Sequence, residues 1–107
     1  MDCYIVNADD PRGEKVFLYE ARFYGHIVLR HPSATVEAIQ KTIENPDIIT
    51  RDAKYPNRDN YYAKGNDLIF PNDYMKVCVE FGSDTGRVVT AFTANGLKPE
   101  EEILWQK

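Results

Sequence analysis

From position 75 to 81 the chain alternates. Met75, Val77, Val79 and Phe81 fall on one side of an extended backbone, and Lys76, Cys78 and Glu80 on the other. Alternation with a period of two marks a strand with one buried face. The next five residues, Gly-Ser-Asp-Thr-Gly at 82–86, are turn formers, and 87–93 resumes in β-branched and aromatic residues. The pair reads as an antiparallel hairpin. If Val89 and Ala91 point into the core, Thr93 does too, and Thr90 shares the other face with Val88 and Phe92.

A sheet with one apolar face needs a covering layer, and the sequence supplies helices for it. Over 36–44, Val36, Ile39 and Ile43 recur at helical spacing, with Gln40, Lys41 and Glu44 outward. Ser33 or Thr35 can cap this helix, Glu37 sits in its first turn, and Asn45-Pro46 stops it. A first helix is predicted over about 22–31, ended by Pro32; Gly25 leaves a strand through 27–29 as the alternative. Strand formers occupy 3–8, a turn cluster 9–13, and 16–20 can pair back as a hairpin partner. Residues 47–50 read as a short strand. Residues 55–66 are polar and broken by Pro56, with a strand within 60–63. After the Asn95-Gly96 turn, a charged tail at 98–102 precedes Ile103-Leu104-Trp105, which is expected to dock on the body. The order of strands, helices, then strands predicts one α+β domain over 1–107, with helices on one face of a mainly antiparallel sheet. The second face is expected to present polar and aromatic groups.

The chain has 107 residues, enough for one domain, and 43% are hydrophobic. No run approaches the ~18–20 apolar residues of a membrane span. The start, Met1-Asp2-Cys3-Tyr4, shows no cleavable signal sequence. Cys3 and Cys78 lie in apolar runs and are expected to be reduced core residues of a cytoplasmic protein. No Cys/His spacing suits zinc, no loop suits calcium, and Asp47, Asp52, Asp59 and Asp73 are scattered, so neither metal nor cofactor is expected. The formal net charge of −4 argues against non-specific binding to long nucleic acid. Arg51, Lys54, Arg58 and Lys64 nevertheless make the middle of the chain locally basic. The acids cluster elsewhere, at 9–10 and 100–102.

Three constellations bear on chemistry. Both histidines, His26 and His31, flank Arg30 in one eight-residue stretch. Histidine exchanges a proton near neutral pH, and arginine suits a phosphate. On a helix, His26 and Arg30 share a face and His31 falls about 140° from His26. An ordinary helix end would instead leave His26 solvated, Arg30 in a salt bridge and His31 near the C-terminal dipole. The second constellation, residues 57–64, gathers Arg58, Tyr61, Tyr62 and Lys64, groups that stack on unpaired bases or hold phosphates. It reads equally as a polar loop leading into an amphipathic strand. The third is Thr90, either a plain strand former or a hydroxyl donor to a phosphate oxygen.

Read in order, these segments resemble the barnase–EndoU–colicin–RelE (BECR) superfamily of nuclease toxins, especially its phage-associated members. The resemblance rests on His26-Ile27-Val28-Leu29-Arg30-His31-Pro32 and Ile43-Glu44-Asn45-Pro46-Asp47-Ile48-Ile49. It continues through Asn57-Arg58, Tyr61-Tyr62, Tyr74-Met75-Lys76-Val77-Cys78-Val79 and Val88-Val89-Thr90-Ala91-Phe92, so it spans roughly 22–93. The segment 3–20 lies outside the shared pattern, and the acidic charge departs from a strongly basic toxin. The resemblance implies one or two N-terminal helices packed on a four-stranded antiparallel sheet, here with an extra N-terminal hairpin. It also implies metal-independent cleavage of RNA, and for a toxin a cognate inhibitor protein as partner.

Two functions follow as expectations. The first is an RNA endonuclease in which the ribose 2′-OH attacks the adjacent phosphate. His31 or His26 would shuttle the proton, Arg30 and Arg58 would grip the phosphate, and Tyr62 and Thr90 would orient it or donate hydrogen bonds. The second is a non-catalytic phage or mobile-element module that binds RNA or protein on the same sheet face, a reading favoured by the acidic charge.

Overall fold

A computed structural model of the protein describes residues 3–64 and 73–107. Positions 65 and 66 of the expected polar stretch lie outside the described residues, as do Met1 and Asp2. The alternating hairpin forms as expected and becomes the middle of a sheet. β5 (Tyr74–Phe81) and β6 (Gly86–Ala94) pair antiparallel from Tyr74↔Ala94 to Phe81↔Gly86. A side chain is excluded at Gly86: a Cβ there would stand 2.6 Å from Val79 Cγ1 and 2.8 Å from the Phe81 ring. β4 (Arg58–Lys64) pairs antiparallel with β5, and β3 (Ile48–Arg51) with β4.

The apolar terminus docks as a strand, β7 (Glu102–Gln106), antiparallel to β3. On the other side, β1 (Tyr4–Asp9) and β2 (Lys15–Tyr19) form the N-terminal hairpin. β2 meets β6 in parallel, through only Val16↔Gly86 and Phe17↔Arg87, because the chain turns into a helix at Glu20. The sheet therefore has seven strands in the order β1-β2-β6-β5-β4-β3-β7. The fold is α+β: an antiparallel meander β3–β6 with an added N-terminal hairpin and a C-terminal edge strand.

The first helical run is a composite of α1 (Glu20–Arg22), a π-helical turn (Phe23–Ile27) and α2 (Val28–Arg30). No strand forms through 27–29. Phe23 and Ile27, four residues apart, share the inward face and are both buried, and the run ends before Pro32 as expected. α3 (Val36–Glu44) is capped by Thr35, not Ser33: its hydroxyl accepts the Ala38 N–H at 3.1 Å. Ile39 and Ile43 face the sheet and are fully buried. Between helices and sheet they pack with Val6, Leu18, Ile49, Met75, Val77 and Ala91. Among the described residues no helix is long and apolar enough to cross a membrane.

Four expectations are corrected. Val88 does not share a face with Thr90; a register shift opposite Cys78 and Val79 turns Val88 into the core beside Ala91 and leaves Val89 as the extra residue. Cys3 is exposed and Cys78 half-buried, both as free thiols, so neither is a core residue. The tail at 98–102, read only as charged, has Glu101 buried within it. Nor do the acids stay apart from the basic middle of the chain. The turn after β1 reaches across the helix-side face to β4, where the buried Asp10 accepts the Tyr61 hydroxyl at 2.7 Å. Arg12 bridges Asp10 at 2.8 Å and Asp59 at 3.0 Å.

Candidate functional site

The face of the sheet away from the helices carries the other half of each alternation. Cross-strand register places Thr50, Asn60, Cys78 and Thr90 in one row across β3, β4, β5 and β6. The neighbouring row holds Tyr62, Lys76 and Phe92. Side chains opposite one another in a sheet sit about 5 Å apart, so each row is a continuous surface.

Glu101 enters this face from the loop before β7, and its side chain is fully excluded from solvent. Its Oε1 accepts from the Thr50 hydroxyl at 2.6 Å, the Asn60 amide at 2.8 Å and the Tyr62 hydroxyl at 2.7 Å. Its Oε2 lies 2.8 Å from both the Tyr62 hydroxyl and the Lys98 backbone N–H. The Lys76 ammonium stands 3.8 Å from Oε2, between the rings of Tyr62 and Phe92. Burial on its own would raise the Glu101 pKa; the hydrogen bonds from Thr50, Tyr62, Lys98 and Asn60 outweigh it and hold the pKa below the ordinary glutamate value. The same burial, together with the Glu101 carboxylate, pushes the Tyr62 hydroxyl pKa far up. Burial also pushes the Cys78 thiol up to about 11, against the opposing pull of Lys76.

Around this hub three buried polar atoms have no hydrogen-bond partner among the described residues: Arg58 Nε, Asn60 Oδ1 and Thr90 Oγ1. Asn60 directs its amide nitrogen to Glu101 and Asp52, which leaves its oxygen unpaired. The Arg58 guanidinium sits over Tyr55, with Cζ 4.1 Å from the ring centroid. Unpaired buried polar atoms are costly, about 1–3 kcal/mol each, and each calls for an explanation such as a bound water, an ion or a catalytic role.

The residues singled out from sequence divide into two groups. Arg58, Tyr62 and Thr90 share the outer sheet face. His31 reaches its margin, with its ring centroid 5.4 Å from that of Phe92. His26 and Arg30 stay on the helical run. His26 borders a depression of about 320 Å³ with Ala21, Arg22 and Gly25. Partial desolvation, followed by the positive charges of Arg22, Arg30 and His31, lowers the His26 pKa below the ordinary imidazole value. Arg30 is exposed, and no ion pair among the described residues involves it. Tyr62 is fully buried with its hydroxyl committed to Glu101, so it acts on this face through that carboxylate.

No known protein family, curated protein or solved structure matches the chain.

Lys76, Asn60, Thr50 and Glu101 escaped the sequence reading. Lys76 carried a usable signal, as the outward cation in the one clean alternation of the chain. Asn60 lay inside the polar segment around Arg58. Glu101 carried none: it is the middle of three consecutive glutamates, and only long-range folding distinguishes it from its neighbours.

Proposed function

We propose that this protein is a metal-independent endoribonuclease that cleaves RNA by attack of the ribose 2′-OH on the adjacent phosphate, as the resemblance to BECR toxins implies. One observation carries this reading. Arg58 and Thr90, chosen from sequence as phosphate ligands, are buried donors without acceptors on one sheet face. A phosphate oxygen is the kind of acceptor that each of them lacks. The Arg58 guanidinium packs over the Tyr55 ring, a contact that restricts its orientation toward the developing negative charge. His31 is the proton shuttle at the margin of the face, with His26 the second candidate on the exposed helix. Tyr62 and Glu101 position Lys76, and Arg30 guides the RNA backbone. An acidic chain with a compact cationic site engages a short stretch of single-stranded RNA rather than a long duplex.

One observation favours the alternative, a non-catalytic binding module: the Glu101 carboxylate lies within the site and neutralises Lys76. The test is cleavage of mixed cellular RNA in EDTA by the wild type, His31→Ala, His26→Ala, Arg58→Ala and Thr90→Val, with circular dichroism as the folding control. Loss of roughly 10²–10⁴-fold for the shuttle histidine and on the order of 10²–10³ for Arg58→Ala supports the nuclease. A folded wild type without activity on RNA supports the module.

A further inference from the structure

We propose that the cleft between α1 and the β5–β6 hairpin is a nucleotide subsite, holding one base of the RNA strand against Tyr19 and the adjoining phosphate on Arg22. The inference rests on the reading of the protein as one that acts on RNA, and it gives a use to the N-terminal hairpin. The cleft has a volume of about 650 Å³ and is lined by Tyr19, Arg22, Asn57, Arg87, Val88 and Val89 among others. That is within the ~300–1,000 Å³ range of small-ligand pockets.

Each wall supplies a different part of nucleotide recognition. Tyr19 is a half-buried ring with two aromatic neighbours. Phe17 stacks on it at 6.3 Å and 29°, and Tyr4 meets it edge-on at 6.5 Å. An aromatic ring fixed in this way offers a stacking surface with little ordering cost. Two guanidinium groups line the cleft, and they are not equivalent. Arg87 is tied to Glu80 at 2.9 Å, and Glu80 also accepts from Asn57 at 3.1 Å. Arg22 is exposed, and no ion pair among the described residues involves it, so its charge is the one left for a phosphate. The β6 backbone at Val88 and Val89 lies beyond the two residue pairs that join β2 to β6. The cleft adjoins the proposed cleavage face. Arg58, Glu80 and Arg87 are cross-strand neighbours in register, and Asn57 immediately precedes Arg58. One strand of RNA can thus pass from Arg58 into the cleft.

The test uses a fluorescein-labelled, fully 2′-O-methylated RNA hexamer of random sequence, which binds without being cut. Anisotropy is measured across a salt series for the wild type, Tyr19→Ala, Tyr19→Phe and Arg22→Ala, with thermal melts to verify folding. Tyr19→Ala weakens binding about tenfold or more with the salt slope unchanged, and Tyr19→Phe binds like the wild type, because the contact is a stack. Arg22→Ala lowers the slope of log K against log salt by about 0.7, the mark of one lost phosphate contact on a single strand. If the wild type cleaves RNA but Tyr19→Ala and Arg22→Ala keep its affinity and slope, the subsite is refuted and the nuclease stands. If the wild type binds through Tyr19 and Arg22 yet never cleaves, the subsite stands and the nuclease falls. A wild type that does not bind the hexamer overturns the subsite.

Discussion

Glu101→Gln changes one buried atom, and the structure fixes what that does. Oε1 receives three donors, from Thr50, Asn60 and Tyr62, and Oε2 receives Tyr62 and the Lys98 N–H with Lys76 at 3.8 Å. A glutamine has one acceptor oxygen and one donor NH2. Turned toward the Oε1 position, its NH2 meets the Asn60 NH2; turned toward Oε2, it meets the Lys98 N–H. Neither of these can accept, while the Thr50 and Tyr62 hydroxyls must turn to do so. Lys76, with only 5% of its side chain exposed, also loses its counter-charge. Removing one partner of a buried ion pair costs about 3–5 kcal/mol. At ~4–8 °C per kcal/mol for a domain of this size, Tm at pH 7 falls by roughly 12–40 °C. The pH dependence has a definite sign. The folded pKa of Glu101 is depressed, so its contribution is complete above the unfolded value of about 4.5 and is lost as pH falls through the folded pKa. The gap between wild type and variant therefore narrows in acid. Adding Lys76→Met recovers at least about 1 kcal/mol by removing the stranded ammonium. Thermal melts followed by circular dichroism between pH 3 and 7 measure all three effects. A Tm within a few degrees of wild type at pH 7, or a gap insensitive to pH, refutes the assignment of Glu101 as the charged hub of this face.

Asp10→Asn loses about 1.5–3 kcal/mol, because Asp10 accepts the Tyr61 hydroxyl and bridges Arg12. The folded pKa of Asp10 is lowered, so urea melts show this loss above pH 4 and less of it in stronger acid. Gly86→Ala is destabilising by roughly 1–3 kcal/mol, since its methyl would overlap Val79 and Phe81; an unchanged urea midpoint would contradict the packing. At pH 8 a thiol reagent titrates the exposed Cys3 first and Cys78 much more slowly, the latter being half-buried with a thiol pKa near 11. Equal rates in a time course would place Cys78 elsewhere.

Most of the fold was legible because it rests on local patterns. The alternation at 75–81, the helical spacing of Val36, Ile39 and Ile43, and the stops at Pro32 and Pro46 each act over a few residues, and each element formed. What the patterns missed is long-range or phase-breaking. A single extra residue at Val89 rotates Val88 into the core, and no propensity announces such a bulge. The π-helical turn at Phe23–Ile27 is a second irregularity that local spacing does not announce. The charge map failed for the same reason. Asp10 and Glu101, distant in sequence, fold against Tyr61 and Tyr62, two adjacent phenols on opposite faces of β4. At the site, Arg58, Tyr62 and Thr90 share the outer sheet face; the family resemblance singles them out together, and strand parity misplaces Val88 beside Thr90. His26 and Arg30 parted from them because the orientation of the first helix depends on packing, not on spacing.

The most direct test of the central claim is the chemistry of the cut. A defined single-stranded RNA is incubated with the purified protein in EDTA, beside the same strand carrying 2′-deoxyribose at the cut position, and the ends are identified by mass spectrometry. The account predicts cleavage of the all-ribose strand with 2′,3′-cyclic phosphate or 3′-phosphate ends, and no cut at the deoxy position. Cleavage that EDTA abolishes, or a cut 3′ of a deoxyribose, would contradict it.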